Sequence, residues 1–378
     1  MNILFVDDEP NVLEGLSRAL ITRVPDDWNI VCAEGGAQAL AELEREPFDI
    51  VVSDMRMPGM DGAELLHRIA ERWPCTARIV LSGHTDEGTA VRAAAVAHQF
   101  LAKPCEVHQI VAVLQQLARL NRAADSKVRA LVGGLNRLPS LPPIYAQFRS
   151  ALSDGGADAR QIAEILRKDP AISAKLLQLV NSAFFCRGTR TTDLAVAVTR
   201  LGTRVVRNIA LSESLVGATP TPARFHLREL SQRCLEVALV IERIAPMAKR
   251  DDAALAALLA NLGLQVIAAT APDKLDAALA RAFADHTPLV DAERALYGTS
   301  HAEVGGYLLA LWGLPIAVAD AVADHHNLTV TPDPVIAASV HVAAHHAEGV
   351  PLLEPILAKA GWIAADITSA LADLRVPA

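Results

Sequence analysis

Three aspartates, a serine and a lysine stand where short apolar runs of the sequence end. Asp7 and Asp8 follow the first run, and Asp54 follows the third. Ser82 ends the fourth run, and Lys103 comes directly after the fifth. Carboxylates that meet at one place repel one another unless a cation lies among them, and Mg²⁺ favours such oxygen ligands. A lysine and a hydroxyl beside that ion suit the oxygens of a phosphoryl group in transfer.

The elements that position these residues alternate between two kinds. Short apolar runs without polar alternation are typical of strands buried on both faces of a parallel sheet. They are Ile3–Val6, Ile30–Ala33, Ile50–Ser53, Ile79–Ser82 and Gln99–Ala102, with helical periodicity near 11–20, 37–46, 62–72, 86–97 and 107–120. Alternation of this kind predicts an α/β, doubly wound fold. Ligands of such sheets bind outside the carboxyl ends of the strands, where the polar residues are expected to gather.

Four motifs in this order resemble the response-regulator receiver domain. They are VDDEP, DMRMPGMDG, LSGH and LAKP, and the resemblance covers residues 1–121. It implies a (βα)5 receiver in which Asp54 is the nucleophile that accepts phosphate from a cognate histidine kinase. It also implies that Asp7 and Asp8 hold Mg²⁺ together with Asp54.

The same resemblance implies the remaining roles around the phosphoryl group. Ser82 would hydrogen-bond to its oxygens, and Lys103 would pair with its charge. The Lys103–Pro104 bond would be cis. Phe100 occupies the aromatic switch position of the family, and its ring would turn inward when Ser82 moves.

The junction after the receiver-like segment is polar. The helical pattern of 107–120 is followed by a linker at 122–129 that has few Gly or Pro, and it is predicted to continue the helix.

The negative charge of the chain lies in its first part. Residues 1–121 hold 10 Lys and Arg against 18 Asp and Glu, which accounts for the whole net charge of −8. Because the second part is neutral, it has no electrostatic reason to bind nucleic acid.

The second part of the chain shows helical patterns and no strand signals, which predicts an all-α domain. The segments are Asp158–Arg167, Ala171–Asn181, Arg204–Val216, Arg224–Ala245, Asp252–Ala269, Ala302–Leu311 and Pro315–Ala323. The apolar run 253–271 approaches the length of a membrane span, but Asn261, Gly263 and Gln265 favour a broken core helix, so no membrane association is expected. Five scattered cysteines and the lack of a basic leader favour a cytoplasmic protein.

Five segments of this second part resemble the HDOD domain, a relative of the HD metal phosphohydrolases. They are LPSLPP, ILRKDPAISAKLLQLVNSAFF, VTRLGTRVVRNIAL, ALLANLG and HAEVGGYLLALWGLP. The resemblance runs over 130–345 and is followed by a helical extension at 346–378. Related domains imply a partner protein, including partners in cyclic-di-GMP signalling. Whether the chain forms a homodimer stays open.

The HD hydrolases hold divalent metal through histidines and aspartates, and most of these ligands are absent here. Ala260-Asn261 stands in place of the His-Asp pair, and Arg233-Cys234 lies where the first histidine is expected. An alanine cannot coordinate a metal, and an amide is a weak ligand. We therefore expect a non-catalytic HDOD domain that binds a signalling partner, with no catalytic residues.

A group of histidines keeps one alternative open, which is a metal-dependent HD-type cyclic-di-GMP phosphodiesterase. The histidines are His301, His325, His326, His341, His345 and His346. Imidazoles at this density could bind a metal. The sequence shows no acidic partner at a ligand spacing from them, so a structural role is favoured.

Overall fold

The chain divides into two compact units, which are described separately. Unit 1 is Met1–Asn136 with Gln178–Thr189, and unit 2 is Arg137–Leu177 with Arg190–Ala378. A computed structural model describes residues 1–25, 27–82, 96–103, 105–135, 151, 157–181, 190–203, 205–206, 222, 224–327, 333–349 and 351–372.

Unit 1 is built on a five-stranded parallel sheet with the order β2-β1-β3-β4-β5. The strands are β1 (Asn2–Asp7), β2 (Asn29–Glu34), β3 (Ile50–Asp54), β4 (Ala77–Ser82) and β5 (Gln99–Ala102). All five predicted strands are confirmed, and so is the doubly wound fold. The side chains of β3 are buried along its whole length, as its apolar run predicts for a central strand.

Helices follow the strands along the chain, and three of them connect one strand to the next. The helices are α1 (Pro10–Ile21), α2 (Gly36–Arg45), α3 (Gly62–Arg72), α4 (Val107–Ala123) and α5 (Ser126–Gly133). The periodicity of the sequence located the first four of these within a few residues. Most of the helix predicted at 86–97 lies outside the described residues.

The strand order creates a switch point between β1 and β3. The chain leaves β1 to form β2 on one side of it and later returns to form β3 on the other side. Val6 pairs with Ser53, so the next residues, Asp7 and Asp54, end neighbouring strands at the same edge. This edge is where ligands of open α/β sheets bind.

A close approach fixes the segment that follows Asp54. Helix α3 begins at Gly62, whose N–H donates to the carbonyl of Met55 at 3.0 Å. A Cβ on Gly62 would lie 2.1 Å from the carbonyl oxygen of Asp54. Asp61 caps this helix by accepting from the N–H of Glu64. The motif around Asp54 therefore requires glycine at position 62 for steric reasons.

The predicted continuous helix through the linker is wrong. Helix α4 ends at Ala123, and Ala124 is extended. The Asp125 side chain then accepts from the N–H of Lys127 and caps the new helix α5. A local side-chain hydrogen bond thus outweighs the helical preference of the segment, as expected for an aspartate at this position.

Every regular element that the structure describes beyond residue 150 is a helix, which confirms the predicted all-α part. The bounds are α6 (Ala159–Leu166), α7 (Pro170–Val180), α8 (Leu194–Leu201), α9 (Leu227–Ile244), α10 (Arg250–Leu259), α11 (Leu262–Thr270), α12 (Pro272–Asp285), α13 (Leu289–Tyr297), α14 (His301–Leu311), α15 (Ile316–Ala323), α16 (Pro334–Glu348), α17 (Glu354–Lys359) and α18 (Ala364–Ala372). Most of the helix predicted at Arg204–Val216 lies outside the described residues.

The apolar run predicted as a broken core helix forms α10 and α11, which are interrupted at Ala260-Asn261. Among the described residues, Arg250–Thr270 is the one stretch whose length and composition would suffice to cross a membrane, but 89% of its most apolar window is buried inside the protein. Burial of this kind is typical of a core helix. Helix α10 packs against α9 and α16, and α11 packs against α14.

We expect Gly62→Ala to lower the free energy of unfolding by about 1–3 kcal/mol, because the added methyl group overlaps the backbone of Asp54. Gly15→Ala is the matched control, since Gly15 is an exposed residue of α1 where an added Cβ would meet no atom within 4 Å. That control should be neutral or stabilise by up to about 1 kcal/mol. Urea titration of the full-length chain measures both values, and equal effects would contradict the packing argument.

Candidate phosphorylation site and histidine cluster

Two buried aspartates and one lysine meet at the carboxyl edge of the sheet. The ammonium Nζ of Lys103 lies 2.6 Å from Oδ2 of Asp7 and 2.5 Å from Oδ1 of Asp54. Asp7 is 2% exposed and Asp54 is 8% exposed. Since Lys103 follows β5 and the aspartates end β1 and β3, the parallel sheet brings together three residues that are distant in sequence.

Backbone groups hold the second oxygen of each carboxylate. The N–H of Glu9 donates to Oδ1 of Asp7 at 3.0 Å, and the N–H of Arg56 donates to Oδ2 of Asp54 at 2.5 Å. Each carboxylate therefore has one oxygen on a backbone N–H and the other on Lys103. These contacts hold both carboxylates in place, with one oxygen of each directed at the Lys103 ammonium.

The charge balance of this edge depends on Lys103. Burial by itself lowers the pKa of Lys103, but the hydrogen bonds and charges of Asp54 and Asp7 outweigh burial and raise that pKa above its ordinary value. Lys103 therefore stays protonated, and its positive charge offsets one of the two carboxylate charges. The remaining negative charge and the oxygen-only donor set fit a hard divalent ion such as Mg²⁺.

The other predicted site residues are placed as follows. Asp8 lies beside Asp7 and is exposed, and Phe100 is buried on β5 at 7% exposure. Ser82 ends β4 and pairs with Ala102, which places it at the same edge. The side chain of Ser82 and the Lys103–Pro104 peptide lie outside the described residues.

In unit 2, two positions that the sequence resemblance aligns with metal ligands of HD hydrolases form a contact between neutral groups. The Nδ2 of Asn261 donates to Sγ of Cys234 at 3.7 Å, and both residues are 2% exposed. Burial raises the pKa of the Cys234 thiol to about 12, so it stays protonated and is a poor metal ligand. Arg233, the neighbour that the sequence also suggested, is exposed and donates to the carbonyl of Ala347.

Three of the six histidines converge in the core of unit 2, and a carboxylate joins them. The ligand atoms of His301, His325, His326 and Glu348 all lie within 4.8 Å of one another. His346 instead contacts Glu236 at 2.8 Å, and His341 accepts from the N–H of Leu353.

Sequence reasoning missed the carboxylate of this cluster. Glu348 is the last residue of α16, beyond the predicted end of the HDOD domain at 345, and no sequence spacing links it to the histidines. It reaches the cluster because α16 packs against α9 and α10 in the core. The signal that marks Glu348 is the burial of its side chain, which is 9% exposed at the end of an apolar helix. This burial is seen in the fold and not in the sequence.

Burial and neighbouring charges shift the pKa values of the cluster and of nearby His341. Burial lowers the pKa of His301, but Glu293 and Glu348 outweigh burial and raise that pKa to about 10. Burial lowers the pKa of His326, and burial together with neighbouring histidines lowers the pKa of His341 to about 4. For Glu348, burial raises the pKa, but His301 and the other histidines hold it well below its usual range.

Comparisons with known families agree with this architecture. The response regulator receiver domain family matches residues 3–115, and the HDOD domain family matches residues 138–328, which is just over half of the chain. Among curated proteins, the hydrogenase transcriptional regulatory protein HoxA of Cupriavidus necator is 30% identical over 138 residues, 36% of this chain and 26% of HoxA. The chain spans only about a quarter to a third of the length of such curated regulators.

Two solved structures share the fold of a large part of the chain. The MmoQ response regulator of Methylococcus capsulatus has a TM-score of 0.52 and 24% identity, and the match covers 63% of this chain and 98% of that one. A virulence factor of Campylobacter jejuni has a TM-score of 0.55 and 21% identity, with coverages of 65% and 94%. The chain is a response regulator of the HDOD family, with an N-terminal receiver domain and a C-terminal HDOD domain.

Proposed function

We propose that the chain is a cytoplasmic two-component response regulator that a cognate histidine kinase phosphorylates on Asp54. In this proposal the phosphorylated receiver controls an HDOD domain that binds a signalling protein and catalyses no reaction. The observation that carries the proposal is the geometry of Asp7, Asp54 and Lys103 at the switch point of the sheet.

The receiver chemistry follows from the charges at this edge. Asp7, Asp8 and Asp54 would hold Mg²⁺, which supplies positive charge to the oxygens of the incoming phosphoryl group. An oxygen of Asp54 attacks the phosphorus while the bond from phosphorus to the histidine nitrogen of the kinase breaks, and that histidine leaves. Lys103 pairs with the charge that develops on the phosphoryl oxygens. The Ser82 hydroxyl would donate to one of these oxygens, and Phe100 would respond to its movement.

Two observations support a binding role for the HDOD domain. First, an amide and a protonated thiol are in contact at Asn261 and Cys234, which the sequence resemblance aligns with metal ligands of HD hydrolases. Second, the exposed hydrophobic residues of unit 2 include Met247 and Phe283, each 83% exposed, and partner proteins bury side chains of this kind. Hydrolysis of cyclic-di-GMP is therefore the weaker interpretation of the domain.

We expect Asp54→Asn to abolish phosphorylation by acetyl phosphate and Mg²⁺, because an amide oxygen is a poor nucleophile. Asp49→Asn is the matched control, since Asp49 immediately precedes β3 and binds the N–H of Asn2 at the opposite end of that strand. Intact-mass spectrometry should detect one added phosphoryl group on wild type and on Asp49→Asn. A phosphoryl group on Asp54→Asn would contradict the assignment.

A second prediction concerns Lys103. Lys103→Met should reduce the free energy of unfolding without Mg²⁺ by about 1–3 kcal/mol, because it leaves two buried carboxylates without their cation. Saturating Mg²⁺ should restore most of that loss, while phosphorylation stays defective. Denaturant titrations with and without Mg²⁺ measure the rescue, and the account fails if Mg²⁺ stabilises the variant less than wild type.

The binding role predicts a partner whose capture depends on phosphorylation. Pull-downs from cell extract with phosphorylated wild type and with Asp54→Asn should recover different amounts of one protein. A cyclic-di-GMP turnover assay on the same preparations should show no hydrolysis. Turnover that disappears in a Glu348→Gln variant would overturn the non-catalytic role.

A further inference from the structure

The histidine cluster in unit 2 comprises His301, His325, His326 and Glu348, and its members come from three separate places in the fold. His301 is the first residue of α14, the two consecutive histidines follow α15, and Glu348 ends α16. His301 and His325 are fully buried, while the side chains of His326 and Glu348 are 6% and 9% exposed. Polar groups at such depth require partners.

Hydrogen bonds fix which nitrogen of two imidazoles faces the centre of the cluster. The Nδ1 of His301 lies 2.7 Å from Oε2 of Glu293, so Nδ1–H donates to that carboxylate. The Nδ1 of His325 lies 2.7 Å from the carbonyl of Val322 and donates to it in the same way. Nε2 of each ring then faces the centre, and in a neutral ring it offers the lone pair with which a histidine binds a metal.

Some polar atoms at the centre of the cluster lack hydrogen-bond partners within the described part of the protein. Among the described residues, Nε2 of His325 and Oε1 of Glu348 have no hydrogen-bond partner, and they lie 3.6 Å apart. The Nε2 atoms of His301 and His326 lie 3.1 Å apart. One proton can bridge that pair, but Nε2 of His325 and Oε1 of Glu348 still lack partners, which costs free energy in a buried site.

The ligand atoms of the cluster are close enough together to surround one tetrahedral ion. Ligands at the usual Zn–N and Zn–O distances lie about 3.3–3.4 Å from one another in a tetrahedron. Nε2 of His301 and Nε2 of His326 lie 3.1 Å apart, and Oε2 of Glu348 lies 3.5 and 3.3 Å from them. Oε1 of Glu348 lies 3.6 Å from Nε2 of His325, and one ligand atom from each of the four residues falls within 4.8 Å of the others. We propose that His301, His325, His326 and Glu348 bind one divalent transition-metal ion, with Zn²⁺ as the best fit.

The proposed site is structural and not hydrolytic. Four protein ligands complete a tetrahedral ion, whereas catalytic zinc sites keep one position open for water. The ion would tie the start of α14 and the end of α15 to the end of α16. The site is thus compatible with a binding role for the domain, and it does not depend on phosphorylation at Asp54.

Charge balance supports the assignment. Two buried carboxylates face this region, because Glu293 binds His301 from behind and Glu348 lies in the centre. One divalent ion with three neutral imidazoles balances both negative charges. Glu293 also orients the His301 ring, as carboxylates behind metal-bound histidines do.

The test uses untagged full-length protein, freed of metal with a chelator and kept in excess Mg²⁺ to occupy the receiver. Co²⁺ should bind with one ion per chain and give the intense visible absorption of a tetrahedral site without the near-ultraviolet band of a thiolate ligand. Zn²⁺ should displace it. Glu293→Gln should weaken binding by about 10- to 100-fold, and His326→Ala should weaken it further.

Two variants make the result decisive. His346→Ala is the control, because His346 lies on α16 two residues before Glu348 and contacts Glu236 instead of the cluster. It should bind Co²⁺ as wild type does. Glu348→Gln preserves the side-chain volume and serves if His326→Ala misfolds by circular dichroism. The proposal is overturned if wild type binds no more Co²⁺ than Glu348→Gln, or if bound Co²⁺ shows a weak octahedral spectrum.

Discussion

The bridge from Lys103 to Asp7 and Asp54 is the interaction on which the receiver depends. Two buried carboxylates at neighbouring strand ends repel each other. The Lys103 ammonium holds them together, since its Nζ lies 2.6 Å from an oxygen of Asp7 and 2.5 Å from an oxygen of Asp54. The bridge exists only if β1, β3 and β5 are parallel and end at the same edge. The buried apolar strands provide that alignment, so the packing of the sheet and the chemistry of its rim depend on each other.

Much of the receiver could be predicted from sequence because two simple rules apply to it. Buried apolar runs located the strands, and the carboxyl ends of parallel strands located Asp7, Asp54 and Lys103. The linker was predicted incorrectly because the polar segment after α4 offers no pattern against a helix. The structure shows that capping by Asp125 starts a new helix there.

The histidine cluster shows where sequence reasoning stops. Histidine density suggested a site, but the choice among six imidazoles depends on which rings the packing of α14, α15 and α16 brings together. Glu348 is 47 positions from His301 in the numbering, so spacing could not link the two residues. The resemblance to HD hydrolases aligns Cys234 and Asn261 with metal ligands, and this prediction needed residue types alone; the structure adds that the two side chains are in contact.

The central claim is that phosphorylation of Asp54 changes the HDOD domain. Hydrogen–deuterium exchange of the full chain, with and without acetyl phosphate and Mg²⁺, tests it most directly. The account predicts altered protection in peptides from residues 157–372 of wild type, and none in Asp54→Asn. Changes confined to residues 1–121 of phosphorylated wild type would contradict it.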